Sequence, residues 1–210
     1  MSLLSRLMAR YYDATMRGME GACLARWRKG MLRDLRGKVL EIGAGTGVNL
    51  AYYGTGVRRL VLTEPDPHMR RQLQARAEGR SRLNLSVMDF GAEKIDQPDA
   101  SFDVVVCTLV LCTVQSQASS LAEAYRLLRP GGQFVFLEHV AALDSPGLHR
   151  WQRVFQPFWV RVCGNCHLTR DTEQAILDAG FDFLQIERVR SRGGPRIVSP
   201  TIKGIATKPA

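Results

Sequence analysis

The sequence predicts a doubly wound α/β fold, in which a seven-stranded, mostly parallel sheet ends in an antiparallel β-hairpin. Three observations predict this class. Short apolar runs alternate with helical patterns, as in successive βαβ units. A glycine-rich stretch at 43–47 follows the first apolar run. Two strand-like runs on either side of a Gly-Gly-Pro loop end the chain, which is typical of a hairpin.

Five apolar runs are expected to form the parallel part of the sheet. Phe102–Cys107 is an apolar run of the kind that is buried on both faces of a parallel sheet. In such sheets ligands bind at the carboxyl ends of the first strands, near the switch point of the topology. The predicted parallel strands are 38–42, 59–63, 84–88, 102–107 and 133–137, and the predicted hairpin strands are 183–189 and 202–207.

Helical patterns fill the segments between the parallel strands. The helix predicted at 119–128 ends at Arg129-Pro130-Gly131-Gly132, because proline and glycine do not continue a helix. The aromatic segment 149–162 is expected to be a helix that is interrupted at Pro157. The other predicted helices are 48–53, 68–78 and 172–179.

Length and composition bound the domain organisation. The chain has 210 residues, of which 45% are hydrophobic and 23% charged, so it has enough apolar material for one sizeable core. This composition excludes disordered and low-complexity classes. Residues 1–36 are expected to form an N-terminal helical lid segment, and residues 37–210 the main domain.

The formal net charge of +9 is concentrated at the two ends of the chain. Residues 1–36 and 187–210 each carry a net charge of +5, whereas the middle of the chain carries −1. This distribution predicts no basic groove through the body of the fold. Because no nucleic-acid-binding motif accompanies the charge, a nucleic-acid partner is not expected. The basic ends are either solvated or in contact with an anionic membrane surface.

Cysteine usage and the N-terminus indicate a reducing compartment. Five cysteines are an odd number, and Met1–Arg6 reaches a charge before an apolar signal region forms. The expected location is cytoplasmic, with peripheral attachment at the inner membrane face as an option. The segment Cys163–His167 resembles a haem-attachment string, a zinc-ligand pair or a redox pair of cysteines. A zinc ion would lack a fourth ligand at suitable spacing there. We expect no metal, and a turn of small residues that lines a pocket of the fold.

The stretch Glu41–Gly47 carries the strongest functional signal. Glycines between a strand and a helix let the backbone approach a ligand closely, and the helix start offers free N–H donors. The G-x-G-x-G spacing places Val48 where dinucleotide-binding folds have their third glycine. Glu64, at the end of the second predicted strand, suits both hydroxyls of a ribose. An adenosine ligand without a pyrophosphate fits these residues better than a nicotinamide cofactor.

These motifs resemble the class I S-adenosylmethionine-dependent methyltransferases, which have a Rossmann-like fold. The resemblance rests on Glu41–Gly47, on Glu64 and on the turn Leu128–Gly132. Further strings are similar to the methyltransferase-like thiol S-methyltransferases and to bacterial relatives that carry phosphatidylethanolamine N-methyltransferase labels. These strings are Val104–Cys112, Phe136–Val140 and Cys166–Arg170.

The resemblance implies S-adenosylmethionine as the cofactor. It assigns the cofactor's ammonium to Glu41 and the ribose to Glu64. Because Gly91 replaces the family's usual aspartate, Asp89 or a backbone N–H would serve the adenine amine. The residues expected to bind the cofactor are Glu41, Gly43, Ala44, Gly45, Gly47, Asn49, Glu64, Pro65, Asp89, Ala92, Glu93, Cys107, Thr108 and Tyr12.

The predicted reaction is methylation of a small-molecule or lipid acceptor, either a thiol or a phospholipid headgroup amine. Methyl transfer depends mainly on alignment and on the exclusion of water. An ammonium acceptor must first lose a proton, and Glu138 with His139 is the best-placed catalytic pair, although His139 also suits a polar niche at a strand end. An aromatic cluster is expected to roof the acceptor site, and it comprises Trp151, Phe155, Phe158 and Trp159.

Two other classes of function remain open on the sequence alone. A nicotinamide oxidoreductase would use the same strand and glycine-rich turn, although Gly47-Val48 disfavours it. A module that binds the cofactor without turnover would keep the same residues.

Overall fold

The computed structural model describes residues 3–80 and 84–210, with side chains from Ala9 onward. Met1 and Ser2 lie outside the described residues. They belong to the segment Met1–Arg6, from which the sequence analysis expected no signal region. Within the described ranges one sheet has the strand order β3-β2-β1-β4-β5-β7-β6. The strands are β1 (Gly37–Ile42), β2 (Val57–Thr63), β3 (Leu85–Met88), β4 (Phe102–Thr108), β5 (Leu128–His139), β6 (Asp182–Arg190) and β7 (Pro200–Thr207).

The predicted doubly wound sheet is confirmed. Strands β1 to β5 pair in parallel, whereas β7 pairs antiparallel with both β5 and β6. Strand β1 lies between β2 and β4, so the chain leaves it in one direction and later returns on its other side. Connections diverge at this switch point and leave a crevice at the carboxyl ends of the strands.

Helices cover both faces of the sheet. Three of them begin at polar side chains that accept backbone N–H groups: Asp66 accepts from His68 and Met69, Ser116 from Ser119, and Asp171 from Gln174. The helices of the described residues are α1 (Leu3–Met19), α2 (Ala25–Leu32), α3 (Pro67–Glu78), α4 (Gln117–Leu127), α5 (Pro146–Val162) and α6 (Thr172–Asp178). A π-helical turn, Glu20–Leu24, joins α1 directly to α2.

Three predicted elements differ from the structure. The helix expected at 48–53 is a single 3-10 turn, Val48–Ala51, because Gly47 enters it in the left-handed conformation and Gly54 follows closely. Strand β5 begins at Leu128, so the predicted turn at 129–132 is an irregular part of the strand. Helix α5 begins at Pro146 and continues through Pro157. Proline removes only one backbone donor, and the turns on both sides hold the helix.

The core fills both faces of the sheet. On one face Val39, Leu60 and Val104 pack with Leu32 of α2 and Leu73 of α3. On the other face the rings of three buried phenylalanines stack, with Phe134 lying 5.9 Å from Phe136 and 5.0 Å from Phe181 between centroids. Burial of this apolar surface is the main force that holds the strands, and therefore the strand ends, in place.

Three of the six basic residues at 187–210 pair with acidic side chains. Arg188 pairs with Glu173, Arg190 with Asp144 at 2.9 Å, and Lys203 with Glu187 at 2.5 Å. A segment whose basic groups face acidic partners presents less charge than its composition indicates. This pairing weakens the expectation that the C-terminal end binds an anionic surface.

Candidate active site

A cavity of about 630 Å³ opens at the carboxyl ends of β1, β2 and β4, where the topology predicts a ligand. One end, at which the sequence analysis places the cofactor and which we call the cofactor end, is formed by the loop after β1 and by the end of β2. The opposite end is formed by Thr108, by residues of the loop after β4, and by Cys163 and Gly164 after α5. Residues that the sequence analysis singled out and that line this cavity are Tyr12, Glu41, Gly43, Ala44, Gly45, Asn49, Glu64, Pro65, Ala92, Glu93 and Thr108.

The loop after β1 has a backbone that glycine alone adopts easily. Gly43 has a φ of +64°, and a Cβ there would lie 2.6 Å from a methyl carbon of Val110. Gly45 has a φ of +57°, and a Cβ there would meet nothing within 4 Å. The loop therefore leaves room for a ligand along its backbone.

Glu64 directly follows β2, and its carboxylate is turned toward this loop. One carboxylate oxygen accepts the Gly45 N–H at 2.8 Å, and the other accepts the Asp66 N–H at 2.8 Å. Burial raises the pKa of Glu64, while the two N–H donors oppose that rise. Because each carboxylate oxygen has two lone pairs, the group can still accept ribose hydroxyls.

A buried polar network supports the floor of the cavity. Glu41 accepts hydrogen bonds from the Asn49 amide at 2.9 Å and from the Tyr53 hydroxyl at 2.6 Å. Arg28 donates to Asn49 at 2.7 Å and to Thr108 at 3.0 Å. Burial raises the pKa of Glu41 to about 7, against the lowering effect of these donors. The network joins α2, β1, the segment after β1 and the end of β4.

Arg28 and Tyr53 were not singled out by the sequence analysis. Arg28 is only 5% exposed, and its guanidinium also pairs with Glu20 at 3.1 Å. An arginine in a helix normally indicates a solvated face. The sequence pattern that could have indicated a buried Arg28 is its position four residues before Leu32, which places both residues on one face of α2.

Three predicted cofactor residues lie outside the cavity wall. Gly47 packs against Leu73, and a Cβ there would lie 2.7 Å from a Leu73 methyl carbon, so this glycine serves the packing of the loop. The Asp89 side chain is 71% exposed and lies 4.0 Å from Arg70. Cys107 is buried inside β4. Side chains alternate along a strand, so Cys107 faces the core while Thr108 reaches the cavity.

The predicted catalytic pair, Glu138 and His139, lies behind the wall of the cavity. Glu138 is fully buried and accepts the N–H groups of Val110 at 2.9 Å, Leu111 at 3.1 Å and Cys112 at 3.4 Å. Burial raises its pKa to about 7, and these donors oppose the rise. Neither residue lines the cavity, so their position favours a positioning role over proton transfer.

The His139 ring does not line the cavity and contacts a cysteine. Its Nε2 atom lies 3.4 Å from the Cys166 sulfur. This contact agrees with the alternative in which His139 fills a polar niche at the end of a strand.

A second side chain, Arg170, also holds the loop after β4. Its guanidinium donates to the Leu111 carbonyl at 2.5 Å and to the Val114 carbonyl at 2.6 Å. Glu138 thus binds N–H groups of this loop, and Arg170 binds carbonyl groups. This loop forms the end of the cavity opposite the cofactor end, which we call the acceptor wall. It is fixed by two titratable side chains that the sequence analysis did not connect to it.

Helix α1 lies across the cofactor end. Tyr12 lines the cavity, and Asp13 accepts the Thr46 hydroxyl at 2.7 Å and pairs with Arg76. Gln72 of α3 donates to the Ala9 carbonyl at 2.7 Å. Burial raises the pKa of Tyr12 to about 12. These contacts tie α1 to the glycine loop and to α3.

The aromatic cluster of α5 does not roof this cavity. Trp151, Phe155 and Phe158 are 58%, 44% and 62% exposed, and none of the four aromatic residues lines the cavity. Trp159 alone turns inward, packs against a buried cluster and donates to the Cys166 sulfur at 3.2 Å. The expectation was wrong because helical spacing shows which aromatic residues share a face but not whether another element covers that face.

The fold and the site together define an S-adenosylmethionine-dependent methyltransferase. A methyltransferase-domain family matches residues 40–136. The S-adenosylmethionine-dependent methyltransferase of Thermotoga maritima has a similar fold, with a TM-score of 0.66 and 20% identity over 98% of this chain and 99% of that one. S-adenosylmethionine is the methyl donor of this class. The hypothesis of a nicotinamide-dependent oxidoreductase is therefore rejected.

The chain belongs to the family of the thiol S-methyltransferases. It is 39% identical to the human thiol S-methyltransferase TMT1A over 172 residues, which are 81% of this chain and 70% of that protein. It is 42% identical to human TMT1B over 181 residues, which are 84% of this chain and 74% of that protein.

Proposed function

We propose that the protein transfers the methyl group of S-adenosylmethionine to the sulfur of a small lipophilic thiol. The observation that carries the proposal is the identity of 39–42% to thiol S-methyltransferases over 81–84% of the chain. When bound, the cofactor supplies an electrophilic methyl group on a sulfonium. The protein's part is to hold the donor, align the acceptor and exclude water.

For the donor, the proposal assigns one group of residues to each part of the molecule. Glu64 accepts the ribose hydroxyls, and Glu41 with Asn49 and Arg28 shapes the polar floor on which the methionine portion lies. Gly43 and Gly45 allow the backbone to approach the ligand. Ala92 and Glu93 stand at the side where the adenine is expected.

For the acceptor, the composition of the opposite wall favours a lipophilic molecule. Leu109, Val110 and Val114 line this end of the cavity, together with Gly164. Apolar groups there exclude water and stabilise an apolar substituent by burial.

The position of Glu138 and His139 favours a thiol over an ammonium. An ordinary thiol has a pKa near 8.5, so a useful fraction is ionised near neutral pH without a base. An ammonium with a pKa near 10.4 needs a base that reaches it. Since neither predicted base lines the cavity, and Glu138 is bound to three amides, a thiol is the acceptor that this arrangement serves better.

The test is an assay of the full chain with labelled S-adenosylmethionine and matched acceptors. Alkyl thiols, the corresponding alkyl amines and phosphatidylethanolamine vesicles are compared. We expect labelled thioether from the thiols and at least about tenfold less product from the amines. Glu64→Gln should weaken cofactor binding by about 10-fold to 100-fold, in line with the loss of one charged hydrogen-bonding group.

Two outcomes would contradict the proposal. Labelled amine product without thioether would assign the acceptor to the phospholipid class. Cofactor binding without any product would favour the module without turnover. Asp89→Asn is the matched control, because its exposed side chain should leave cofactor affinity within about twofold.

We further propose that residues 1–36 act as a lid and that α5 attaches the protein to an anionic membrane surface. None of the described helices is long and apolar enough to cross a bilayer. Helix α5 instead combines exposed Trp151, Phe155 and Phe158 with exposed arginines, as interfacial helices do. Its arginines are Arg150, Arg153 and Arg161. Attachment there would give the enzyme access to acceptors dissolved in lipid.

Vesicle co-sedimentation tests this attachment. Vesicles of phosphatidylcholine with and without phosphatidylglycerol are compared at low and high salt. We expect binding to the anionic vesicles at low salt, and at least about fivefold less binding for Phe158→Ala. Leu184→Ala is the matched control, because Leu184 is 61% exposed on β6, away from α5. Equal losses in both variants, or no binding at low salt, would contradict this assignment.

A further inference from the structure

Three metal-ligand side chains from separate parts of the chain meet behind the acceptor wall. Cys112 comes from the loop after β4, His139 from the end of β5, and Cys166 from the loop after α5. One ligand atom from each lies within 4.8 Å of the other two. Cys112 and His139 are buried, and Cys166 is half-buried. Neither the cofactor nor the proposed methyl transfer accounts for this cluster.

We propose that Cys112, His139 and Cys166 form a binding site for a thiophilic divalent metal ion, with Zn²⁺ as the ion that fits the donor set. Two thiolates and one imidazole are a recognised zinc set that leaves a fourth position for water or another ligand. The missing fourth ligand near Cys163–His167 is therefore no obstacle. The other ligands come from β5 and the loop after β4, which a local spacing argument does not consider.

The distances suit tetrahedral coordination. A sulfur and a nitrogen bound to one tetrahedral zinc lie about 3.5 Å apart, given bond lengths of about 2.3 and 2.0–2.1 Å. The Cys166 sulfur and the His139 Nε2 atom are 3.4 Å apart. Small rotations of the Cys112 side chain complete the set, since its sulfur already lies within 4.8 Å of both partners.

A hydrogen-bond donor already faces one of the two sulfurs. The Trp159 ring N–H donates to the Cys166 sulfur at 3.2 Å. Such outer hydrogen bonds orient a ligand and accompany metal sites. Both cysteines would bind the ion as thiolates, so metal binding would release protons.

Hydrogen bonds around the cluster fix the segments that carry the ligands. The His167 N–H donates to the Cys112 carbonyl at 2.8 Å, and the Asn165 amide donates to the Thr113 carbonyl at 2.6 Å. Thr113 and Gly164 line the cavity. A metal here would lock the two segments that form the acceptor wall, whatever acceptor the enzyme uses. The inference therefore goes beyond the proposed function and does not depend on it.

Cobalt titration tests the site on the full chain. The protein is reduced, stripped of metal with a chelator and titrated with Co²⁺, whose tetrahedral thiolate complexes absorb in the visible range. We expect one equivalent per chain, with the absorption lost on addition of Zn²⁺. Cys166→Ser and Cys112→Ser should weaken binding at least about 100-fold, because each removes a direct ligand.

Cys163→Ser is the matched control. Cys163 lies in the same loop as Cys166 but outside the cluster, so this variant should keep the affinity of the unmodified chain. Calorimetry with S-adenosylmethionine on every variant shows whether the fold and the cofactor end are intact.

A second measurement needs no variant. Alkylation of each cysteine is followed by peptide mass spectrometry, with and without Zn²⁺. We expect Zn²⁺ to slow alkylation of Cys166 at least about tenfold and to leave Cys163 unchanged. Three results would overturn the proposal. They are the absence of Co²⁺–thiolate absorption bands in the visible range, undiminished cobalt binding in Cys166→Ser, and equal protection of Cys163 and Cys166 from alkylation. A Cys112–Cys166 disulfide that persists under reducing conditions would overturn it as well.

Discussion

The two ends of the cavity are built in different ways. The cofactor end comes mainly from one short stretch, residues 41–49, together with Glu64, and its loop relies on backbone N–H groups and glycine conformations. The acceptor end comes from the loop after β4 and the loop after α5, and it is fixed from behind by Glu138 and Arg170. The first end is encoded locally, whereas the second depends on residues far apart in the chain.

This difference separates two kinds of constraint. A loop that uses backbone atoms to approach a ligand restricts the residue types within it, so it leaves a readable motif. A wall fixed by distant charged groups leaves its apolar lining free to vary, as long as those groups remain. Changes at the cofactor end should therefore affect donor binding, and changes behind the acceptor wall should affect acceptor binding.

The largest effect is expected at Gly43. Gly43→Ala places a Cβ 2.6 Å from Val110 in a left-handed backbone conformation, so the loop must move. We expect S-adenosylmethionine affinity to fall at least about 100-fold and the free energy of unfolding to fall by about 1–3 kcal/mol. Calorimetry and urea unfolding measure these. Gly131→Ala is the control, since it has a φ of +72° but open space for a Cβ; an equal loss of affinity there would contradict the local explanation.

The complementary change is Glu138→Gln behind the acceptor wall. A glutamine places an NH₂ group among three N–H donors, so at least one of the amides loses its acceptor. We expect the acceptor KM to rise about tenfold, while the cofactor Kd stays within about threefold. Steady-state kinetics and calorimetry separate the two quantities. A fall in kcat with an unchanged KM would instead support the catalytic role predicted for this residue.

The third prediction uses pH to examine the floor of the cofactor end. Burial raises the pKa of Glu41 to about 7, whereas an unfolded chain has a glutamate pKa near 4.3. The stabilisation linked to this raised pKa is complete below about pH 4 and is lost as the pH rises through 7. We expect wild-type stability to fall relative to Glu41→Gln by about 1–3 kcal/mol between about pH 5 and 8.

Urea unfolding at several pH values in this range checks the pH prediction. Glu78→Gln, at the exposed end of α3, should follow the wild type throughout. Parallel curves for the wild type and Glu41→Gln would mean that Glu41 titrates normally in the folded protein.

The smallest effect is expected for the contact between α1 and the glycine loop. Asp13→Ala removes a partly exposed acceptor from Thr46 and Arg76. Since exposed pairs contribute little, we expect the cofactor to dissociate only about 2-fold to 5-fold faster, with little change in the acceptor KM. Stopped-flow measurement of cofactor release tests this. A change confined to the acceptor KM would contradict the assignment of α1 to the cofactor end.

The sequence predicted the sheet and the cofactor end well for a physical reason. Residues 104–107 of β4 and 134–137 of β5 are apolar and buried at every position, so these strands stand out, and Glu41–Gly47 is contiguous. Glu64 was found because the end of β2 is fixed relative to the end of β1.

The remaining contacts cross long distances in the chain, and no local pattern encodes them. Arg28 and Thr108 are 80 residues apart, and Arg170 and Leu111 are 59 apart. The exposed face of α5 shows the same limit. Its spacing predicts one aromatic face, but what covers a face is decided by elements elsewhere in the fold.

The π-helical turn Glu20–Leu24 has a consequence for the helical phase between α1 and α2. Tyr12 and Arg28 both line the cavity and are separated by sixteen residues. At about 100° per residue, an unbroken α-helix would place them about 160° apart, on opposite sides. The wider turn absorbs one residue and brings them to about 60°. Deleting exposed Gly21 should therefore turn this stretch into regular α-helix and leave both side chains directed at the cavity.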